Sequence, residues 1–229
     1  MFCEQCEQTA SCNGCHQWGA CGKSPQVNAV QDLLVYCLRG IAPVVIRAKE
    51  LGIDTIQADR FTCESMFATM TNVNFDQKKF TKYIQKAITI REAVKTQIQQ
   101  LTNTSTNWSE ISNYQPDYHQ SLVEQGQNHN LELLGQSGTN IDIISLKLTA
   151  LYGVKGAASY TFHAYELGQE DESVYKFIHQ VLTAIDSQYL SLEDWVNLNL
   201  EIGKINLRAM DLLDAGNTST YGHPEPTSV

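Results

Sequence analysis

Five of the seven cysteines in this 229-residue chain fall within its first 21 positions, in the stretch MFCEQCEQTASCNGCHQWGACGK. Four of them, Cys3, Cys6, Cys15 and Cys21, read C-x2-C-x8-C-x5-C. A C-x2-C pair turns tightly enough for two thiolates to hold one ion or cluster, and two more from the same loop can close the cage. Gly14, Gly19 and Gly22 stand beside the later thiols, where a missing side chain lets the backbone pass close to an inorganic core and aim N–H groups at sulfur. The chemistry implied is iron–sulfur ligation. A zinc knuckle also uses four thiolates and an opening C-x2-C, and is the alternative on spacing alone. Cys12 is a fifth thiol that reads as a free spectator, or as a replacement for Cys15 as third ligand, giving C-x2-C-x5-C-x8-C. His16 reads as a surface loop residue, with a mixed Cys/His site conceivable.

The remaining candidates are bland. Cys37 falls on the apolar stripe of a helix and Cys63 lies near a phenylalanine, so both read as small buried hydrophobes. His163 and His179 lie on helical patterns and read as packing residues. There is no Walker loop, no dinucleotide fingerprint and no convincing acid–base constellation.

The formal net charge of −9 and the lack of a dense Lys/Arg run argue against a nucleic acid or an anionic membrane surface as the main partner. No basic segment followed by an apolar stretch opens the chain, and the apolar runs are broken before about 18 residues, so the expected setting is the cytoplasm. Thiols are kept reduced there, and an odd cysteine count fits a metal site better than complete disulfide pairing.

The elements that must position the cysteine loop read as helices. Ser24 followed by Pro25 predicts a helix start, and Val30, Leu33, Leu34, Cys37, Leu38, Ile41, Val44, Val45, Ala48 and Leu51 carry its stripe to a stop at Gly52. A shorter helix is expected around Cys63–Thr71, and a third from Asp76 to Leu101. Residues 102–140, rich in Asn, Gln, Ser, Thr and Gly, read as a long irregular connection with one helical piece near Tyr118–Gln127. The second half predicts helices at Ile141–Leu167 and Asp171–Asp186, then one opened by Ser191 with Asp194 three positions on. No sustained period-two alternation is present. The expected fold is all-α: an N-terminal cysteine-rich loop (1–24), one three-helix bundle (25–101), the connection (102–140), a second three-helix bundle (141–214) and a linker-like tail (215–229). The tail, AGNTSTYGHPEPTSV, carries two prolines that no helix interior tolerates.

With these motifs in place, the chain resembles the hybrid cluster protein (prismane protein, hydroxylamine reductase) family. The resemblance runs through MFCEQCEQT, the cysteine loop closing in ACGK, VQDLLVYCLRGIA, FATMTNVNFD, LYGVKGAASYTFHAYELGQ and EIGKINLRAMDLLDAGNTSTYGHPEPTSV. It covers essentially the whole chain except the polar connection, and matches the family's N-terminal helical domain only. It implies that Cys3, Cys6, Cys15 and Cys21 hold a 4Fe-4S cubane, with 2Fe-2S or zinc as lesser alternatives, and Cys12 departs from the family pattern. It further implies that a hybrid iron–sulfur–oxygen cluster belongs only to the full-length architecture, on His, Glu and Cys ligands in two α/β domains outside this chain. The expected function is electron relay within a hydroxylamine or nitric oxide reductase, and the alternative is a stand-alone electron-transfer or redox-sensing module. The expected partners are an electron-donor redox protein and downstream α/β domains, or a second copy of the chain, with no nucleic acid and no membrane.

Overall fold

A computed structural model describes residues 1–135 and 140–225, and among these there are eight α-helices and no strand, as the all-α reading expects. They are α1 Pro25–Glu50, α2 Ile56–Ala68, α3 Gln77–Thr102, α4 Glu110–Asn113, α5 Leu122–Gln127, α6 Ile141–Glu166, α7 Glu172–Ala184 and α8 Leu192–Tyr221, with a 3-10 turn at Leu131–Gly135. The caps act as their residue types dictate. Ser24 accepts the Val27 N–H and Asp76 those of Lys78 and Lys79, while Ser191 and Asp194 form a reciprocal capping box.

Helix α1 lies at the centre. Val30, Leu33, Leu34, Val35 and Leu38 are fully buried, each worth about 1.5–3 kcal/mol, and Ala29, Asp32, Arg39 and Gly40 on the other side of the helix are buried too. Of the described helices, α1 is long and apolar enough to cross a bilayer, but it is mostly buried inside the protein. Helices α2, α3, α4, α5 and α7 all pack on it, α6 packs on α2, and α8 lies along α6. One continuous apolar cluster consequently joins α1, α2 and α3 to α6, α7 and α8. The expected pair of three-helix groups is not seen as two separate cores, because α7 returns to α1 and α6 to α2.

Three further expectations are corrected. Helix α2 starts at Ile56, well before Cys63, with the Asp54 carboxylate accepting the Ile56 N–H at 2.9 Å. Its buried face includes Asp59, Thr62 and Ser65, and these polar residues hide the apolar period. The described part of the connection is not a spacer. Gly126 of α5 lies so close to α1 that a Cβ there would sit 1.9 Å from the Ala29 carbonyl oxygen. Buried Arg91 and half-buried Lys95 of α3 donate to the carbonyls of Tyr114 and Ser112, at 2.6 Å each. The tail reading also fails over 215–221: α8 continues to Tyr221 and ends at Gly222 with φ +77°, two positions before the first tail proline, Pro224. Gly216 seats against Leu167, and such packing outweighs the roughly 1 kcal/mol that a helical glycine costs. The end of the expected tail, residues 226–229, and residues 136–139 of the expected connection lie outside the described residues.

At the far end of α1, a buried polar network joins the two halves. Asp59 of α2 accepts from Lys49 Nζ at 2.7 Å and from the Thr55 hydroxyl at 2.9 Å, and it faces His179 Nε2 of α7 at 2.9 Å. Burial raises the Asp59 pKa, but His179 and Lys49 outweigh it and hold the carboxyl below its ordinary value of 3.8. A carboxyl depressed on folding contributes stability that is complete above its unfolded pKa and is lost as pH falls through the folded one. Asp59→Ala is expected to cost about 3–5 kcal/mol near neutral pH, since it leaves buried partners uncompensated. Urea unfolding of wild type should show stability falling below about pH 4, and Asp59→Asn should show a shallower acid limb; equal limbs contradict the assignment.

Candidate metal centre

Residues 1–23 form an irregular loop of bends and turns leading into the Ser24 cap of α1. Cys3 N–H donates to the Cys15 carbonyl at 3.1 Å and closes the loop at its base. Gly19 N–H donates to the Lys23 carbonyl and Gly22 N–H to the Gly19 carbonyl, both at 2.9 Å, turning the chain back before α1. The expected N–H bonds from these glycines to sulfur are not formed, since Gly19 and Gly22 donate to carbonyls; at Gly14 and Gly19 it is close packing that excludes a side chain. A Cβ on Gly14, whose φ is +95°, would lie 2.7 Å from the Phe2 ring, and one on Gly19 would lie 3.0 Å from Cys21 Sγ. Gly22 has free space around it and is fixed by its φ of +88°.

All seven cysteines are free thiols. Cys15 is buried and its sulfur accepts the Ala20 N–H at 3.3 Å, whereas Cys12 is exposed, on left-handed backbone with φ +61°. Cys3, Cys6 and Cys21 are half-buried. Among the described residues no three Cys, His, Asp or Glu side chains converge closely enough to hold a metal ion, so the four expected ligands share the loop but not a common centre. Cys37 and Cys63 are fully buried in the core, and burial pushes the Cys37 thiol up to about 12 and raises that of Cys63. His16 is exposed, bonded to the Asn13 carbonyl at 2.7 Å and edge-on to Phe2.

Beneath the loop lies a polar base that the motif reading missed. Gln5, Lys23, Asp32 and Lys155 are all buried. The Gln5 amide donates to Asp32, and Lys155 Nζ donates to Gln5 Oε1 and, at 2.9 Å, to the Gln5 carbonyl. Asn28 holds the other Asp32 oxygen at 3.0 Å, and Lys23 Nζ reaches the Thr69 carbonyl at 3.5 Å. Burial pushes the Asp32 carboxyl up and the Lys155 ammonium down. At Cys3 burial also wins and raises the thiol, against the pull of Lys23. At the more open Cys21, burial is outweighed by the Lys23 backbone and charge, and the thiol lies below its ordinary value. A signal for these residues existed in the sequence: Asp32 and Lys155 interrupt apolar helix faces, where a charge is rarely tolerated without a partner.

The donor set suits an iron–sulfur group. Thiolate-ligated clusters are anionic and are tuned by N–H bonds to sulfur and by nearby charge. Here one sulfur accepts an N–H bond, and two lysines and one aspartate are buried beneath the loop.

The fold and the loop together define an all-helical protein that presents a multi-thiol loop on a buried, cation-rich base. Over residues 1–229 its sequence matches the family described as Prismane/CO dehydrogenase, and the chain belongs to that family. It is 69% identical to a hydroxylamine reductase of Rippkaea orientalis, 65% identical to one of Crocosphaera subtropica and 43% identical to one of Methanocella arvoryzae. Each match covers 100% of this chain but only 41%, 42% and 42% of those proteins, so the chain spans about two fifths of the length of the curated relatives it matches.

The orientation of the thiols gives a ligand test. Cys3→Ser, Cys6→Ser, Cys15→Ser and Cys21→Ser are each expected to lower iron content after anaerobic reconstitution, whereas Cys12→Ser, Cys37→Ser and Cys63→Ser should keep it. Full loading in Cys15→Ser together with loss in Cys12→Ser would make Cys12 the third ligand.

Proposed function

We propose that this chain is the iron–sulfur region of a hydroxylamine or nitric oxide reductase, holding a 4Fe-4S cubane on Cys3, Cys6, Cys15 and Cys21. In this reading it relays electrons from a donor redox protein in the cytoplasm to a hybrid cluster whose ligands lie outside the chain. The observation that carries the proposal is the cysteine loop seated on Lys23 and Lys155, in a chain whose family relatives are named hydroxylamine reductase. When bound, such a cluster supplies one-electron transfer with little rearrangement.

The chain's own residues then have separable tasks. The four thiolates ligate, the Ala20 N–H stabilises charge on Cys15, and the buried lysines offset the negative charge of the cluster and its ligands. The loop remains partly open to solvent, and Trp18 on it is 59% exposed, which suits electron entry from a docked donor. Residues for hydroxylamine reduction itself are assigned to the remaining three fifths of the longer relatives. Helix α8 offers a face for that polypeptide: Leu192, Val196, Leu200, Leu207 and Met210 are exposed along one stripe, at spacings of three, four and seven.

The iron-reconstituted chain should be brown, bleach on dithionite and take up about one electron per cluster. With a dithionite-reduced dye it should give no sustained turnover of hydroxylamine or nitric oxide. A colourless, zinc-containing protein would sink the iron–sulfur reading. Sustained turnover lost in Cys3→Ser would instead make the chain an enzyme by itself.

A further inference from the structure

We propose that Lys155, acting through Gln5, is the positioning residue that holds the Cys3–Cys6 turn in ligand-ready form and places its ammonium beside whatever the two thiolates bind. The inference deepens the iron–sulfur reading and rests on it for the identity of the bound group.

The argument starts from where the hydrogen bonds end. Gln5 lies between the two thiols of the C-x2-C pair, and it is 1% exposed although its neighbours Cys3 and Cys6 are half-buried. Its carbonyl and its side-chain oxygen both accept from Lys155 Nζ, and its amide nitrogen donates to Asp32. Asn28 fixes the second Asp32 oxygen at 3.0 Å. Gln5 is thus an amide bridge between a cation on α6 and a carboxylate on α1, held at both ends by helices of the core. Lys155 sits among Leu151, Val154 and Ala158, all buried, so its ammonium has few places to go other than the loop.

A purely structural lysine could be satisfied by any carbonyl of the core. Here both of its hydrogen bonds go to Gln5, one of the two residues that separate the first two ligands and the buried one of that pair. A side chain that fixes a ligand pair before loading lowers the cost of ordering it afterwards, and a cation held there favours the reduced, more negative state of a bound cluster.

The test uses the full chain with Lys155→Met, and Gln5→Ala as a second variant confined to the loop. In the metal-free protein, amide hydrogen exchange over residues 3–7 should quicken about tenfold or more in both variants, with the α1 core amides unchanged. After iron reconstitution, Lys155→Met should keep its cluster but show a midpoint potential below that of wild type, a change that loosened packing alone does not direct. Wild-type exchange at residues 3–7 in both variants, or a wild-type potential in Lys155→Met, overturns the proposal. If Lys155→Met does not fold, exchange in Gln5→Ala decides alone. If the wild-type chain takes up no iron, the cluster reading fails, while exchange in the metal-free chain still decides whether Lys155 positions the turn.

Discussion

A 26-residue helix buried on every side constrains everything around it. At a rise of about 1.5 Å per residue α1 is roughly 39 Å long, and its apolar circumference is satisfied only if helices from both halves of the chain cover it. Apolar burial is non-directional and does not fix how those neighbours slide along it. The buried polar side chains of α1 do. Asn28 and Asp32 reach the cysteine loop through Gln5, and Gln31 donates to the Asn74 carbonyl at 3.2 Å. Arg39 makes a two-point pair with Asp186 beyond α7, and Lys49 meets Asp59 of α2. Each group would cost several kcal/mol if buried without its partner, so together they set register.

The same logic explains the charge pattern around the loop. The chain is acidic overall, yet the base of the thiol loop carries two buried lysines against one buried aspartate. An ammonium in such a base is costly by itself. It becomes favourable when an anionic, thiolate-held group sits above it, because the low local dielectric that penalises the lone charge also strengthens its attraction to the partner. The loop backbone contributes in the same direction, since the Ala20 N–H points at Cys15 Sγ.

Much of the fold was legible because its helices obey local rules. Ser24–Pro25, Asp76 and the Ser191/Asp194 pair mark their starts, and the long helices α1, α3, α6 and α8 show the apolar period. What escaped was tertiary. Buried Asp59, Thr62 and Ser65 broke the period of α2, and polar 102–135 packs down through a few specific anchors, such as Gly126 against Ala29 and Arg91 on Tyr114. The joining of the two halves into one core depends on which faces meet, which no periodicity encodes. At the candidate site the cysteines announce themselves by spacing, but Gln5, Asp32 and Lys155 lie up to 150 residues apart and become one network only after folding. The inward turn of Cys15 and the outward turn of Cys12 follow from the loop backbone, and spacing alone leaves both patterns open.

The two buried networks bracket α1, and their sequence separations bear on how the thiol loop becomes ordered. Lys49, Asp59 and His179 join positions 120 residues apart at one end, and Gln5 and Lys155 join positions 150 apart at the other. Loop-closure entropy must be met before such contacts give any return, so local helices and the apolar faces on α1 form with less cost than either network. The loop itself has no regular secondary structure to order it locally. Its C-x2-C turn therefore gains its fixed position only when α6 docks near α1 and brings Lys155 to Gln5. Ligand geometry at the thiols is on this account a product of the assembled core, and a substitution that loosens the seat of α6 on α2 reaches the cysteines without touching them.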